Sequence, residues 1–253
     1  MFKINKLFYS PVKSLSFSSV TKLEILDKIG IKFDRNFAFT RDLDDNKINY
    51  ILKNPLKRQI INFLSLKHFP ELNEYNFDFE KDILNLKKNN NIILETNINI
   101  QSDVETLCDK ILLLIPKLKR IKLIKDSKNP FFDTMPSNTI SLINLNSIYD
   151  LEKKISKNVE FERFRGNIYI NGFDAWEERK LINKTLIINN IKFKVIKEIP
   201  RCSATNIKPN SSEYNLSVPI SLKQFYNHIN LGIYILPLNN GNIKLNDEIL
   251  IND

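Results

Sequence analysis

The chain has 253 residues, 42% of them hydrophobic and 26% charged, which suits one large globular domain or two small ones with a real core. Its five glycines, Gly30, Gly166, Gly172, Gly232 and Gly241, lie too far apart for a P-loop or a dinucleotide fingerprint. Two histidines, His68 and His228, cannot build a three-histidine zinc site, and two cysteines, Cys108 and Cys202, exclude a zinc ribbon, a disulfide framework and a four-thiolate iron–sulfur cluster. The formal net charge of +9 fits either a lysine-rich solvated face or attraction to an anion, whether nucleic acid, membrane, acidic protein or phosphorylated cofactor.

In chain order, Phe2–Tyr9 and Phe17–Ile25 alternate as strands, and Asn36–Thr40 is a short aromatic one. A turn-like cluster covers Asp42–Lys47. Gln59–Leu66 and Ile92–Ile100 are further strand candidates. Ser102-Asp103-Val104-Glu105 reads as a capping box opening a helix through about Leu114, stopped by Pro116. Irregular chain runs from Leu118 to Ser137. A helix follows over about Leu145–Lys154, then strands at Gly166–Ile170, Thr185–Ile188 and Ile191–Lys197, the last two joined by Asn189-Asn190. Pro219–His228 reads as a helix with Pro219 in its first turn. Gly232–Leu238 and Ile243–Ile251 read as a closing hairpin around Asn239-Asn240-Gly241. Many short strands and few helices predict a β-rich α+β protein of barrels or curled sheets.

No segment is long and apolar enough to span a bilayer, and the N-terminus lacks a signal-peptide core. Two distant cysteines fit a reducing compartment, so a cytoplasmic protein with no membrane contact is expected. The basic stretches Lys87-Lys88 and Lys117–Lys125 are not the dense tract of a nucleic-acid binder, and no nucleic-acid partner is expected.

Four segments could carry chemistry. Cys202 follows Ile199-Pro200-Arg201, where Pro200 ends a strand and Arg201 would favour the thiolate. The same pattern also fits a small apolar residue. Cys108, inside a helix on the side of Leu112, reads as core. Ser10-Pro11-Val12-Lys13-Ser14-Leu15 could hold a phosphate through Lys13 and Ser14, or be a polar turn. In Gly30–Phe37, Asp34 and Arg35 face opposite ways on a strand, so Arg35 could reach an anion while Asp34 anchors the turn. In Arg163-Phe164-Arg165-Gly166-Asn167, the two arginines point the same way if extended and repel unless they share an anion or carboxylate partners. Asn167 continues that polar side, and Trp176 with Phe173 reads as core.

Taken together and in order, these pieces resemble the MOSC family preceded by its usual N-terminal β-barrel domain. The matching elements are Pro11–Leu15, Gly30–Arg35, Arg163–Ile168, Ala175–Glu178 and Arg201-Cys202 with Thr205, followed by Tyr226–His228, Gly232–Tyr234 and Asn246–Glu248. The resemblance implies a division into residues 1–116 and 117–253, two β-barrel-like units with a few helices. It implies a pyranopterin molybdenum cofactor (molybdenum-molybdopterin) rather than pyridoxal phosphate, with Cys202 as metal ligand and catalytic centre. Lys13, Ser14, Arg35, Asn144, Arg165, Asn167 and Arg201 then match cofactor-contacting positions. The family's Asp before the Pro that follows the cysteine is here Lys208. The implied activity is that of the amidoxime-reducing members, an oxidoreductase acting on N-hydroxylated small molecules. Its electrons would come from a separate flavoprotein or ferredoxin, and such donors are commonly acidic. A cofactor carrier or sulfur-transfer protein with a Cys202 persulfide is the alternative.

Overall fold

The computed structural model describes residues 2–15, 17–132 and 138–252. Alternation at the N-terminus produces strand β1 (Phe2–Tyr9), with Ile4 and Leu7 fully buried. A bulge between Ile4 and Lys6 shifts its register, so Leu7 and its neighbour Phe8 are both buried, in two different clusters. Next come β2 (Ser18–Val20), β3 (Lys22–Leu26), β4 (Gly30–Ile31) and β5 (Phe37–Phe39). The single strand expected over Phe17–Ile25 is two, broken at Thr21, because β2 pairs with β1 while β3 pairs with β4.

Helix α1 (Asp45–Lys53) occupies much of the expected turn. Asp44 caps it, accepting from the Lys47 amide at 2.7 Å. The expected strand over Gln59–Leu66 is instead a 3₁₀ turn at Ile60–Asn62. The Asn62 side chain accepts from the Gln59 amide at 3.0 Å, and that local bond competes with sheet pairing. Only Phe63 bridges across, to Thr40. Strands β6 (Tyr75–Glu80), β7 (Ile83–Lys88) and β8 (Asn91–Asn97) form an antiparallel meander. Helix α2 (Gln101–Leu114) starts one residue before the expected capping Ser102. No box forms: Ile100 sits at the cap position, and Gln101 Nε2 donates to Glu105 instead, at 2.8 Å. Cys108 packs half-buried against the cluster of Phe37, Phe77, Leu107 and Ile111, and burial pushes its thiol pKa up.

Strand β9 (Leu123–Lys125) pairs with β5. The remainder is β10 (Ile140–Asn144), α3 (Leu145–Ile155), β11 (Ile168–Asn171), β12 (Thr185–Ile188), β13 (Ile191–Pro200), α4 (Val218–Tyr226), β14 (Asn230–Pro237), β15 (Gly241–Lys244) and β16 (Glu248–Asn252). Helix α3 begins where the sequence places it, and α4 begins one residue before the expected Pro219 and ends at Tyr226 rather than His228. The expected closing hairpin does not form. Strand β15 leaves to pair with β3, and β16 pairs with β12 and β1. That exchange closes a seven-stranded barrel in the order β11-β10-β14-β13-β12-β16-β1, with β1 returning to β11. Its interior is apolar, with Ile4, Ile170, Phe193, Val195, Ile233 and Ile235 all fully buried. The boundary expected at 116/117 is crossed here, because β1 is a barrel stave and Leu23, Ile25 and Ile31 share the barrel's core. Among the described residues, no helix is long and apolar enough to cross a membrane.

Phe193 fills the barrel, whereas Leu250 points out from β16 with 59% exposure. Phe193→Ala is expected to lower the unfolding free energy by about 3–5 kcal/mol, and Leu250→Ala by no more than about 0.5 kcal/mol, as read by urea titration.

Candidate functional site

Two turns packed back to back build one wall. The Lys13 amide donates to Phe37 O at 2.8 Å, and its ammonium, on a buried side chain, reaches Phe131 O at 3.3 Å. Ser14 beside it has φ +63°. The Arg35 amide donates to Ser10 O at 2.6 Å, and Asp34 accepts from the Ser10 amide at 2.6 Å. Arg35 also has positive φ, +53°. That bend is why Arg35 and Asp34 do not face opposite ways as on a strand: the guanidinium folds back and pairs with the buried carboxylate. Burial pushes the Asp34 carboxyl up, opposed by the Arg35 cation and the Ser10 amide. The Arg35 guanidinium lies over the Phe132 ring, 4.8 Å from its centre.

The second wall is the ends of β10 and β11. Asn167 Oδ1 accepts from Ser141 Oγ at 2.8 Å, its Nδ2 donates to Phe8 O at 3.3 Å, and its amide donates to Ser141 Oγ at 2.9 Å. It stitches β10, β11 and β1 together, and its side chain is committed to that task. Arg163 and Arg165 are not extended. Arg163 sits in a 3₁₀ turn, Phe161–Phe164, and Arg165 follows at φ +49°. Arg163 pairs with Glu160 at 2.6 Å and donates to Ile207 O at 3.0 Å and to Asn215 Oδ1 at 2.7 Å. It thereby clamps the chain that follows Cys202. Burial, and next the nearby Arg35 cation, lower the Arg165 guanidinium pKa to about 10.

The floor is the end of β13. Arg201 is buried; its Nε donates to Leu231 O and its Nη1 to Phe164 O, each at 2.9 Å. Burial lowers its pKa, while the Cys202 thiol is among the groups that raise it. Gly232 makes room: it has φ +80°, and a Cβ there would stand 2.8 Å from Leu142 O and 3.3 Å from an Arg201 nitrogen. Cys202 is exposed, at the N-terminal edge of the 3₁₀ turn Ser203–Asn206, and its carbonyl accepts from Thr205 Oγ1 at 2.8 Å.

These walls enclose a cleft of about 380 Å³. Lys13, Ser14, Arg35, Arg165, Asn167, Arg201 and Cys202 all line it. Asn144 is not among the described lining residues. It caps α3 and donates to buried Glu178 at 3.1 Å and to Asp174 O at 2.8 Å. Thr139 and Ser141, five and three residues earlier on the same segment and so on the opposite side of an extended chain, line the cleft in its place, together with Tyr234 and Ser65. The alternation Thr139-Ile140-Ser141-Leu142 was the available signal. Six of the lining residues are basic, namely Lys13, Arg35, Lys67, Arg163, Arg165 and Arg201, and among the described ones none is acidic. A soft thiol over a cationic floor suits a ligand that joins a thiophilic metal to an anionic arm. Among the described residues, no three His, Cys, Asp or Glu side chains gather as an all-protein metal site. A metal in the cleft would take Cys202 as its protein ligand and bring further ligands with it.

Residues 132–250 match the family model of the MOSC domain. The chain is 24% identical over 250 residues to the molybdenum cofactor sulfurase of Caenorhabditis briggsae, covering 90% of this chain and 32% of that protein. Over 80 residues it is 32% identical to mitochondrial amidoxime reducing component 2 of Macaca fascicularis, covering 32% of this chain and 23% of that protein. The chain thus spans about a third or less of the length of these relatives. Among solved structures it is similar to the YUAD protein of Bacillus subtilis, at a TM-score of 0.46 and 12% identity over 99% of this chain and 96% of that one.

The Asn144–Glu178 pair gives a pH signature. Burial pushes the Glu178 carboxyl up, against the hydrogen bonds from Asn144 and Ser147. A carboxyl with a raised folded pKa costs stability progressively as pH rises from its unfolded value through its folded one. Glu178→Gln, which keeps an acceptor, is expected to gain stability relative to wild type as pH is raised from 4 towards 8, measured by urea titration at each pH.

Proposed function

With residues 132–250 a MOSC domain, we propose that the protein binds a pyranopterin molybdenum cofactor in the cationic cleft and reduces N-hydroxylated compounds with it. The observation that carries this reading is the exposed Cys202 thiol at a cleft whose described lining holds six basic residues and no carboxylate. Cys202 serves as the protein's ligand to molybdenum, the soft-metal role a thiolate fills best. Lys13, Ser14 and Arg35 hold the phosphate end, and Arg165 lies against the same anion, which relieves the mutual repulsion of the two guanidiniums. Arg201, buried under the loop, fixes the segment directly before Cys202. Asn167 and Arg163 shape the walls through bonds to the protein, and Thr139, Ser141 and Tyr234 add neutral polar contacts. When bound, the cofactor supplies two-electron redox chemistry; the chain supplies position, ligand and field.

The reaction consumes two electrons and two protons, R–NH–OH going to R–NH₂ and water. The electrons come from a separate donor, a flavoprotein or a ferredoxin. An acidic donor would be steered by the net charge of +9. A second reading, a cofactor carrier or sulfur-transfer protein with a Cys202 persulfide, is favoured by the exposure of that thiol and by the long match to a protein named as a sulfurase.

Protein purified from a cofactor-competent host is expected to carry about one molybdenum per chain by metal analysis. Cys202→Ser should lose that metal. Lys13→Ala and Arg165→Ala should weaken cofactor retention by roughly 10- to 100-fold each, the loss of one charge-assisted bond. Wild type without metal or pterin, but with a persulfide on Cys202 in its mass spectrum, would decide for the carrier. Electron transfer from an acidic donor should slow as salt rises from low to physiological strength, followed by stopped flow.

A further inference from the structure

Removing a hydroxyl from nitrogen as water requires protons in the cleft. Beside hydroxyls, the Cys202 thiol and cations, the described lining holds no carboxylate to pass one. It does include Ser65, which is buried, with Oγ 2.9 Å from His68 Nδ1. His68 is exposed. The turn that makes the pair is pinned, because the amides of His68 and Phe69 both donate to Ser65 O at 3.0 Å. An imidazole in contact with water thus joins a hydroxyl on the wall of the cleft. The other histidine, His228, bonds to Arg179 at 2.6 Å and is not among the described lining residues.

We infer that His68 and Ser65 form a proton relay from solvent into the cleft. The imidazolium passes its Nδ1 proton to Ser65 Oγ as the Ser65 hydroxyl proton moves to the departing hydroxyl of the substrate. The N–O bond breaks, the hydroxyl leaves as water, and a second proton completes the N–H bond. The two electrons come from the donor protein or from dithionite, and solvent reprotonates His68 for each transfer. This deepens the reductase reading and rests on it. Ser65 meets the leaving oxygen; His68 acts through Ser65 and is a positioning residue. The charged groups facing the imidazole are Arg41 and Lys67, and the Phe69 ring centre lies 6.5 Å away. Arg41 is held over that ring at 5.2 Å, with one guanidinium nitrogen buried and without a hydrogen bond. Burial first, and then these two cations, hold the imidazole pKa below its usual value, which favours release of the proton.

With two histidines in the chain, the His68 ring can be titrated by NMR in the full-length protein. Ser65→Ala should move its midpoint. In molybdenum-loaded wild type reduced with dithionite, kcat on a simple N-hydroxylated substrate should fall as pH rises, with the His68 midpoint. His68→Gln should abolish that limb and lower kcat at least about tenfold, leaving KM and molybdenum content unchanged. Ser65→Ala should do the same, and the double variant should be no slower than either. His68→Gln that keeps both kcat and the limb, or an NMR midpoint indifferent to Ser65→Ala, overturns the relay alone. A loaded wild type that reduces no such substrate overturns the reductase reading and the relay with it.

Discussion

One buried guanidinium organises the cleft. Arg201 ties the end of β13 to Leu231 on β14 and to Phe164 in the turn before β11. A charge taken out of water must be paired or densely hydrogen-bonded. Here carbonyl oxygens do that work, which fixes three segments at one point directly before Cys202. The thiol is thereby presented from a rigid support although it is itself exposed. Gly232 is the complementary concession, since any side chain there would press on Leu142 O and the guanidinium.

Around that point the charges sort into two kinds. Arg163 and Arg201 are spent on carbonyls and a carboxylate, and they hold the frame. Arg35 and Arg165 approach one another closely enough for the first to depress the second. Like charges held together in a partly dry site store repulsion that an anion relieves. The same arrangement that costs stability without an anion would be relieved by the phosphate of the proposed cofactor. Asp34 offsets part of that cost for Arg35, which keeps the wall folded.

The barrel and the cleft were legible in the sequence to different degrees. Strands β1 and β12 and helix α3 fall where period and punctuation put them, while β13 runs three residues past the expected Lys197 and α4 spans Val218–Tyr226 rather than Pro219–His228. Seven of the eight expected site residues meet at one cleft, scattered as they are from Lys13 to Cys202. Asn144 fails because an Asn at the end of a strand reads equally as a ligand or as a helix cap, and the buried Glu178 that decides for the cap lies 34 residues away. Alternation orients the arginines at 163 and 165 only if the chain is extended, and a 3₁₀ turn followed by a left-handed residue turns the chain there. The closing hairpin was misread for a topological reason. Local turn chemistry favours pairing neighbours, but a ring can close only if β16 goes to β12 and β1.

The position of β1 in that ring also sets the order of events in biosynthesis. Its partners within the barrel, β11 and β16, begin at Ile168 and Glu248. The first stave is therefore made well before either barrel neighbour exists, and until then its sheet partner is β2, which covers only Leu7–Tyr9. Contacts at such sequence separation form slowly, because loop closure must precede them. The meander β6–β8 and α2 can condense locally on the ribosome, but the barrel must await release of β16. Until β11 and β16 are made, β1 keeps one edge open, and this is the stage at which chaperone binding or aggregation competes with closure.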